Sequence, residues 1–239
     1  MSRSDRPRPA GGRSPIASAT TTAVAPRSWV PPVAIALLVA LIGADVFRLG
    51  FFADDFHFLD VARRVPLLAL LSGQYGLYPW YRPLSRELYF YLIAHSGPLG
   101  LVVAHTLSLL GVAGCAWLIH RLGAVLAGPR VASIAPLFFL AYAVTKFLAG
   151  WSSGFQDVLA LLLVLMALRA WFADRVLPAL LCAFLATFAK ESAVVVFPLL
   201  ALHLLLFPGR RRARTVWLGL AATLALSALL HLLVRLGWH

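Results

Sequence analysis

Asp54 and Asp55 stand side by side in the run Phe51-Phe52-Ala53-Asp54-Asp55-Phe56-His57-Phe58 of a chain that has only nine acidic residues. An ionised carboxylate at a membrane edge costs free energy unless it faces water or a partner. A carboxylate held against a hydroxyl can take its proton. Coming directly after a long apolar stretch, the doublet predicts a base working at the edge of a membrane. Further charged groups recur at Arg82, Arg86 and Glu87 in the loop that follows, and at Asp157, Lys190 and Glu191 at the ends of later apolar stretches.

Composition sets the elements that must carry these groups. With 61% hydrophobic and 13% charged residues and a mean hydropathy of +0.86, the chain lies outside the range of soluble globular domains. It reads as an all-α polytopic membrane protein. The net charge of +12 does not point to nucleic acid, because the cations lie between apolar stretches and are not gathered on one face. Residues 1–28 are rich in Ser, Arg, Pro, Thr and Ala without apolar periodicity, which predicts a disordered cytoplasmic tail.

Apolar stretches at 29–49, 98–119, 131–149, 158–172, 176–189, 193–207 and 216–234 predict about seven transmembrane helices in one module, 29–239. The first is longer than a signal-peptide core and lacks a small-residue cleavage pattern, so it reads as a retained span, with Pro31 and Pro32 in its first turn. With the amino terminus inside, Arg121, Arg130, Arg169, Arg175, Arg210, Arg211, Arg212 and Arg214 fall on inner segments, as the positive-inside rule requires. The carboxyl terminus is then outside. Asp45, Asp54, Asp55, Asp60, Glu87, Asp157 and Glu191 segregate to the outer side, leaving Asp5 and Asp174 inside. Taken singly, each outer acid serves equally well as solubilising charge. Taken together with Arg and Lys, they predict a site.

The fifth and sixth stretches are short: at ~1.5 Å rise per residue they fall short of the ~30 Å hydrocarbon core. Their shared tip, Lys190-Glu191-Ser192, either lines a wet cavity suited to a lipid-linked phosphate or forms a salt-paired hairpin end. The outer loop at about 50–97 has apolar residues at helical spacing over 58–71 and 84–93, predicting two helices along the membrane surface. Tyr75, Tyr78, Trp80, Tyr81, Tyr89, Phe90 and Tyr91 suit either headgroup anchoring or stacking on a sugar. Arg82 and Arg86, four residues apart, would repel on a helix unless an anion or carboxylate lies between them. A phosphate fits, and so does a lipid headgroup or pairing with Glu87 and Asp60.

Ala53-Asp54-Asp55-Phe56-His57-Phe58 resembles the acidic pair that follows the first span in GT-C glycosyltransferases, protein O-mannosyltransferases among them. Tyr81-Arg82-Pro83-Leu84, Trp151-Ser152-Ser153-Gly154-Phe155-Gln156-Asp157-Val158-Leu159-Ala160 and Ala189-Lys190-Glu191-Ser192-Ala193 are similar to further signposts of that superfamily, in the same order. The likeness is greatest to the transmembrane tetratricopeptide-repeat mannosyltransferases and their bacterial relatives. It departs around His105, where relatives carry more polar residues and this chain has Thr106, Ser108 and Gly111.

The resemblance implies a GT-C-like module that moves a sugar from a polyprenyl-phosphate donor to a hydroxyl of a protein, glycan or lipid acceptor on the outer face of the membrane. It also implies a partner or a further carboxyl-terminal region, as relatives continue beyond this module. Asp54 aligns with the first acid of the family pair and is the expected base. Asp55 orients the loop or holds a sugar hydroxyl. Arg82, Arg86 and Lys190 are candidates for the donor phosphate, with Glu191 and Asp157 fixing those cations or the sugar. One carboxylate suffices for inverting transfer, because a phosphate leaving group needs little protonation. Neither a metal nor a cofactor is implied beyond the lipid-linked sugar phosphate itself.

His57 reads as a second proton carrier or as an interfacial residue. His105, His120, His203, His231 and His239 show no ligand spacing, and Cys115 and Cys182 read as core residues. A transporter or flippase-like protein is the alternative, as is a non-catalytic fragment or subunit that retains the fold. Transport predicts charge through the midplane, where the spans are nearly free of ionisable groups apart from His203.

Overall fold

The computed structural model describes residues 30–73, 80–207 and 214–237. The tail predicted at 1–28, Tyr75, Tyr78, Arg210 to Arg212 and His239 lie outside the described residues. The described residues form helices joined by short turns, with no strand among them. Helix α1 (Val30–Val46) leads into a surface layer of α2 (Asp54–Arg64), α3 (Leu67–Leu71), a π-helical turn (Pro83–Glu87) and α4 (Leu88–His95). Then follow α5 (Gly100–Leu126), α6 (Pro129–Ala141), α7 (Ala143–Gly150), α8 (Phe155–Phe172), α9 (Val176–Ala189), α10 (Val196–Leu206) and α11 (Arg214–Leu236).

By length and apolarity, three single helices of the described residues can cross a membrane: Gly97–Leu126, Ser152–Phe172 and Arg214–Leu236. The pair α6 and α7, bent by 59°, makes a fourth if counted as one span. The expected seven spans are therefore not all present. The apolar runs are there, but those at Pro31–Val46, Val176–Ala189 and Glu191–Leu206 form shorter helices. At ~1.5 Å per residue the fourteen residues of α9 rise only about 21 Å. Apolarity alone does not set where a helix stops. Lys190, extended at φ −159° and ψ 136°, ends α9.

The bend between α6 and α7 has a local cause. Tyr142 is extended, with ψ 128°, which interrupts the i→i−4 ladder. The Thr145 hydroxyl donates to the Phe139 carbonyl at 2.6 Å, satisfying a group the break leaves open.

The helices run alternately up and down, so one end of the bundle gathers the end of α1, the surface layer, the turn between α7 and α8, and the turn between α9 and α10. Val46, Val112, Leu140, Ala149 and Val158 pack α1 and α5–α8 together. Trp171, Ala183, Phe197, Leu200 and Leu220 pack α8–α11. Ala160, Ala186, Ala189 and Ala193 let α8, α9 and the Lys190 turn approach closely. In the surface layer, α2 buries Asp55, Phe58, Leu59 and Ala62, spaced i, i+3, i+4 and i+7, against Tyr89, Phe90, Ile93 and Ala104. Helices thus form over both expected stretches, the first broken at Pro66 and the second opening with the π-turn, and Tyr89 and Phe90 are buried core residues.

Candidate functional site

Asp54 and Asp55 occupy the first turn of α2, where carboxylates favour the helix dipole, with Arg63 and Arg64 at the far end. A helix turns about 100° per residue, so the neighbours part ways. Asp55 falls on the buried stripe with no exposed surface. Its Oδ1 accepts hydrogen bonds from the Ser153 backbone N–H at 2.8 Å and the Ser153 hydroxyl at 2.6 Å. Its Oδ2 accepts one from the Phe52 N–H at 3.1 Å. Between these clasps Ala53 is held at φ 52°, a left-handed conformation that costs an L-residue about 1–2 kcal/mol.

Asp54 lines a cavity of about 360 Å³ together with Phe58, Trp80, Arg82, Arg86, Trp151, Ser153, Gln156, Asp157 and Lys190. Among the described residues its carboxylate has no hydrogen-bond or ion-pair partner. Segments far apart in the chain therefore meet at one chamber: the first turn of α2, the π-turn, the start of α8 and the end of α9.

The cations of this chamber are all buttressed. Arg82 donates through Nε to Glu191 Oε2 at 2.8 Å, through Nη2 to Glu191 Oε1 at 2.5 Å, and through Nη1 to Gln156 Oε1 at 2.5 Å. Lys190 Nζ donates to Asp157 Oδ1 at 2.5 Å. Arg86 pairs with Glu87, donates to the Trp80 carbonyl at 2.8 Å and lies over the Phe58 ring. Arg82 and Arg86 do not share an anion between them; each has its own carboxylate, one of them 109 residues away. The π-turn starts at Pro83 and is pinned when Ser85 donates its hydroxyl to the Ala189 carbonyl at the end of α9.

Charge is layered around the chamber. Glu87 and Glu191 stand behind the arginines, while Arg82, Arg86 and Lys190 outnumber Asp54 and Asp157 on the wall. Burial pushes the Glu87 carboxyl above the ordinary glutamate range, with Arg86 pulling it back in part. For Glu191 burial also pushes upward, but the Arg82 hydrogen bond, its own backbone N–H and the charges of Arg82 and Lys190 outweigh it and lower the carboxyl. The wall thus presents three cations that carboxylates hold in fixed positions, an arrangement that need not reorganise when a ligand arrives.

His57 is exposed beside Phe58 and is not part of the wall. Asp60 pairs with Arg64 at 2.7 Å, and Asp45 with Lys146, both away from the chamber. His105 is buried with Nε2 3.0 Å from the Leu49 carbonyl, tying α5 to the approach to the acidic doublet. Among the described residues no group of three or more His, Cys, Asp and Glu is placed to hold a metal ion.

Sequence reasoning gave no role to Ser153, Gln156, Trp151 or Phe58, all of which line the chamber. The signal available for Gln156 was its polarity at the start of an otherwise apolar helix. Trp151 stacks on Phe52 with ring centroids 6.0 Å apart, so it braces the doublet from the side.

Over its described residues the chain is all-helical, with helices able to cross a membrane and a charged chamber at one end of the bundle. No family model, curated protein or solved structure matches it.

Proposed function

We propose that this protein is a membrane glycosyltransferase of the GT-C kind, moving a sugar from a polyprenyl-phosphate donor to an acceptor hydroxyl. What carries the reading is the convergence of Asp54, unpaired among the described residues, with Arg82, Arg86 and Lys190 on one cavity of about 360 Å³. That volume suits a monosaccharide and a phosphate.

The acceptor O–H gives its proton to the Asp54 carboxylate as its oxygen bonds to the anomeric carbon. The bond from that carbon to the phosphate oxygen breaks on the opposite face, inverting the configuration. The polyprenyl phosphate leaves with the electron pair, its negative charge met by the guanidinium groups of Arg82 and Arg86 and by Lys190. Gln156, whose Oε1 holds Arg82, keeps its amide nitrogen for the sugar, and Trp80, Trp151 and Phe58 supply apolar walls. Asp55 positions the Asp54 turn and Ser153. In this reading the chamber opens on the outer side of the cell membrane and the amino terminus is cytoplasmic, from the distribution of arginines.

A non-catalytic module is the second reading, favoured by the carboxylate that already neutralises each cation. Purified protein reconstituted with a radiolabelled polyprenyl-phosphate sugar and a crude acceptor fraction decides between them. Asp54→Asn should lower transfer by about 10²–10⁴-fold, the usual worth of a positioned base. Equal transfer by both proteins removes Asp54 from the mechanism, and none by the wild type favours the non-catalytic module.

A further inference from the structure

A second cavity, of about 540 Å³, lies at the opposite end of the same helices, where α5 and α8 finish and α9 begins. Arg121 of α5, Arg169 of α8 and Arg175 at the start of α9 line it, and no carboxylate does. None of the three makes an ion pair or hydrogen bond to an acid among the described residues. This is the reverse of the Asp54 chamber, where every cation has a carboxylate behind it. Asp174, in sequence between the lining residues Ala173 and Arg175, is not itself in the lining; guanidinium groups brought to one concavity with no carboxylate in its wall repel one another, and an anion between them removes that cost. The remaining wall includes Trp117, Met166 and Pro178, and the Arg121 guanidinium lies 5.7 Å from the centre of the Trp117 ring, which limits its freedom.

We infer that this cavity binds a phosphate ester through Arg121, Arg169 and Arg175, with an apolar part of the ligand against Trp117 and Met166. The inference is independent of the activity proposed for the Asp54 chamber. Arginine suits it because the planar fork grips phosphate oxygens two at a time. The same chemistry is offered by the headgroup of an anionic phospholipid and by a water-soluble phosphate ester.

The full chain in neutral detergent separates the two sources. Binding of dioleoyl phosphatidylglycerol, dioleoyl phosphatidylcholine and glycerol 3-phosphate is measured on wild type, on the triple variant R121Q/R169Q/R175Q, and on Arg63→Gln as a control from the other end. Phosphatidylglycerol should bind at least about tenfold tighter than phosphatidylcholine, the worth of one charge-assisted contact, and the triple variant alone should lose that margin. Glycerol 3-phosphate binding that the triple variant abolishes also supports the inference and assigns a soluble ligand. Equal binding of the two lipids with no glycerol 3-phosphate binding overturns it, and this comparison needs only the wild type. A folded triple variant that keeps the preference overturns it as well.

Discussion

The Asp55 carboxylate accepts both the backbone N–H and the hydroxyl of Ser153, 98 residues further along the chain, at 2.8 and 2.6 Å. This contact locks the first turn of α2 to the start of α8, and so fixes where Asp54 stands relative to Gln156 and Asp157. The two adjacent acids have opposite environments, one wholly buried and one on the chamber wall.

Asp55→Ala strands the Ser153 and Phe52 N–H groups, which now donate to its carboxylate. Each stranded buried donor costs about 1–3 kcal/mol, so a loss on the order of 3 kcal/mol is expected. Asp54→Asn, at a surface without partners among the described residues, should stay within about 0.5 kcal/mol of wild type. Thermal unfolding of both variants in detergent reads this directly. Equal melting temperatures for the two variants would refute the division of labour between the acids.

The Arg82–Glu191 pair makes stability depend on acid pH. The Glu191 carboxyl is lowered from its ordinary value of 4.5, so the folded protein holds the charged form more readily than the unfolded chain does. Its contribution is present above pH 4.5 and is lost as the pH falls from there through the lowered value. Glu87, raised by burial, acts with the opposite sign, and comparing wild type with Glu191→Gln cancels it. The melting-temperature gap between those two proteins should be constant from pH 7 to about pH 5 and close below pH 4.5. A gap unchanged into the acid range would mean that the pair adds nothing.

Much of the chamber was legible because ionisable residues are rare in this chain, and Asp54, Asp157 and Lys190 stand out at the ends of apolar runs, Arg82 and Arg86 in the loop between the first two. Their partners were legible only as a set: Glu191 and Asp157 were expected to fix these cations or the sugar, and Glu87 to pair with the arginines as one alternative, but not which carboxylate meets which cation. The Arg82 carboxylate comes from 109 residues away; of the two readings of Arg82 and Arg86, a shared anion assumed a regular helix where Pro83–Glu87 forms a π-turn, while pairing with Glu87 is met by Arg86 and pairing with Asp60 by neither. Ser153 was hidden for the same reason, since its role is a contact with Asp55 and not a local pattern. The number of spans failed because hydropathy records where apolar residues lie, whereas the extended Tyr142 and Lys190 decide where helices end.

Gly111 sets the distance between α5 and α8. A Cβ there would come within 2.6 Å of Val158 Cγ1, and Val158 is itself buried and stiff at χ1. Gly111→Val should therefore cost about 1–3 kcal/mol by overpacking and shift the turn that carries Gln156 and Asp157. In the transfer assay the wild-type activity should be partly restored by adding Val158→Ala, which opens the space. No restoration would place the damage elsewhere.

The passes of α8, α9, α10 and α11 alternate in direction, so the end of α11 returns to the level of the Asp54 chamber. Side chains mark that return: His231 Nε2 lies 3.2 Å from the Thr187 carbonyl, its ring stacks on Phe188 at 4.9 Å, and it meets the edge of Tyr81 at 6.1 Å. Ser227 and Thr187 share a hydrogen bond of 2.6 Å one turn earlier, polar glue of the sort that fixes helices inside a bilayer. A reporter fused after His239 should therefore lie on the same side of the membrane as a thiol label on Phe56→Cys, which sits on the exposed face of α2. In the proposed reading that side is the outer one. A reporter on the side opposite the label would break the alternation of the last helices, and with it the placing of α11 beside the tip that carries Lys190.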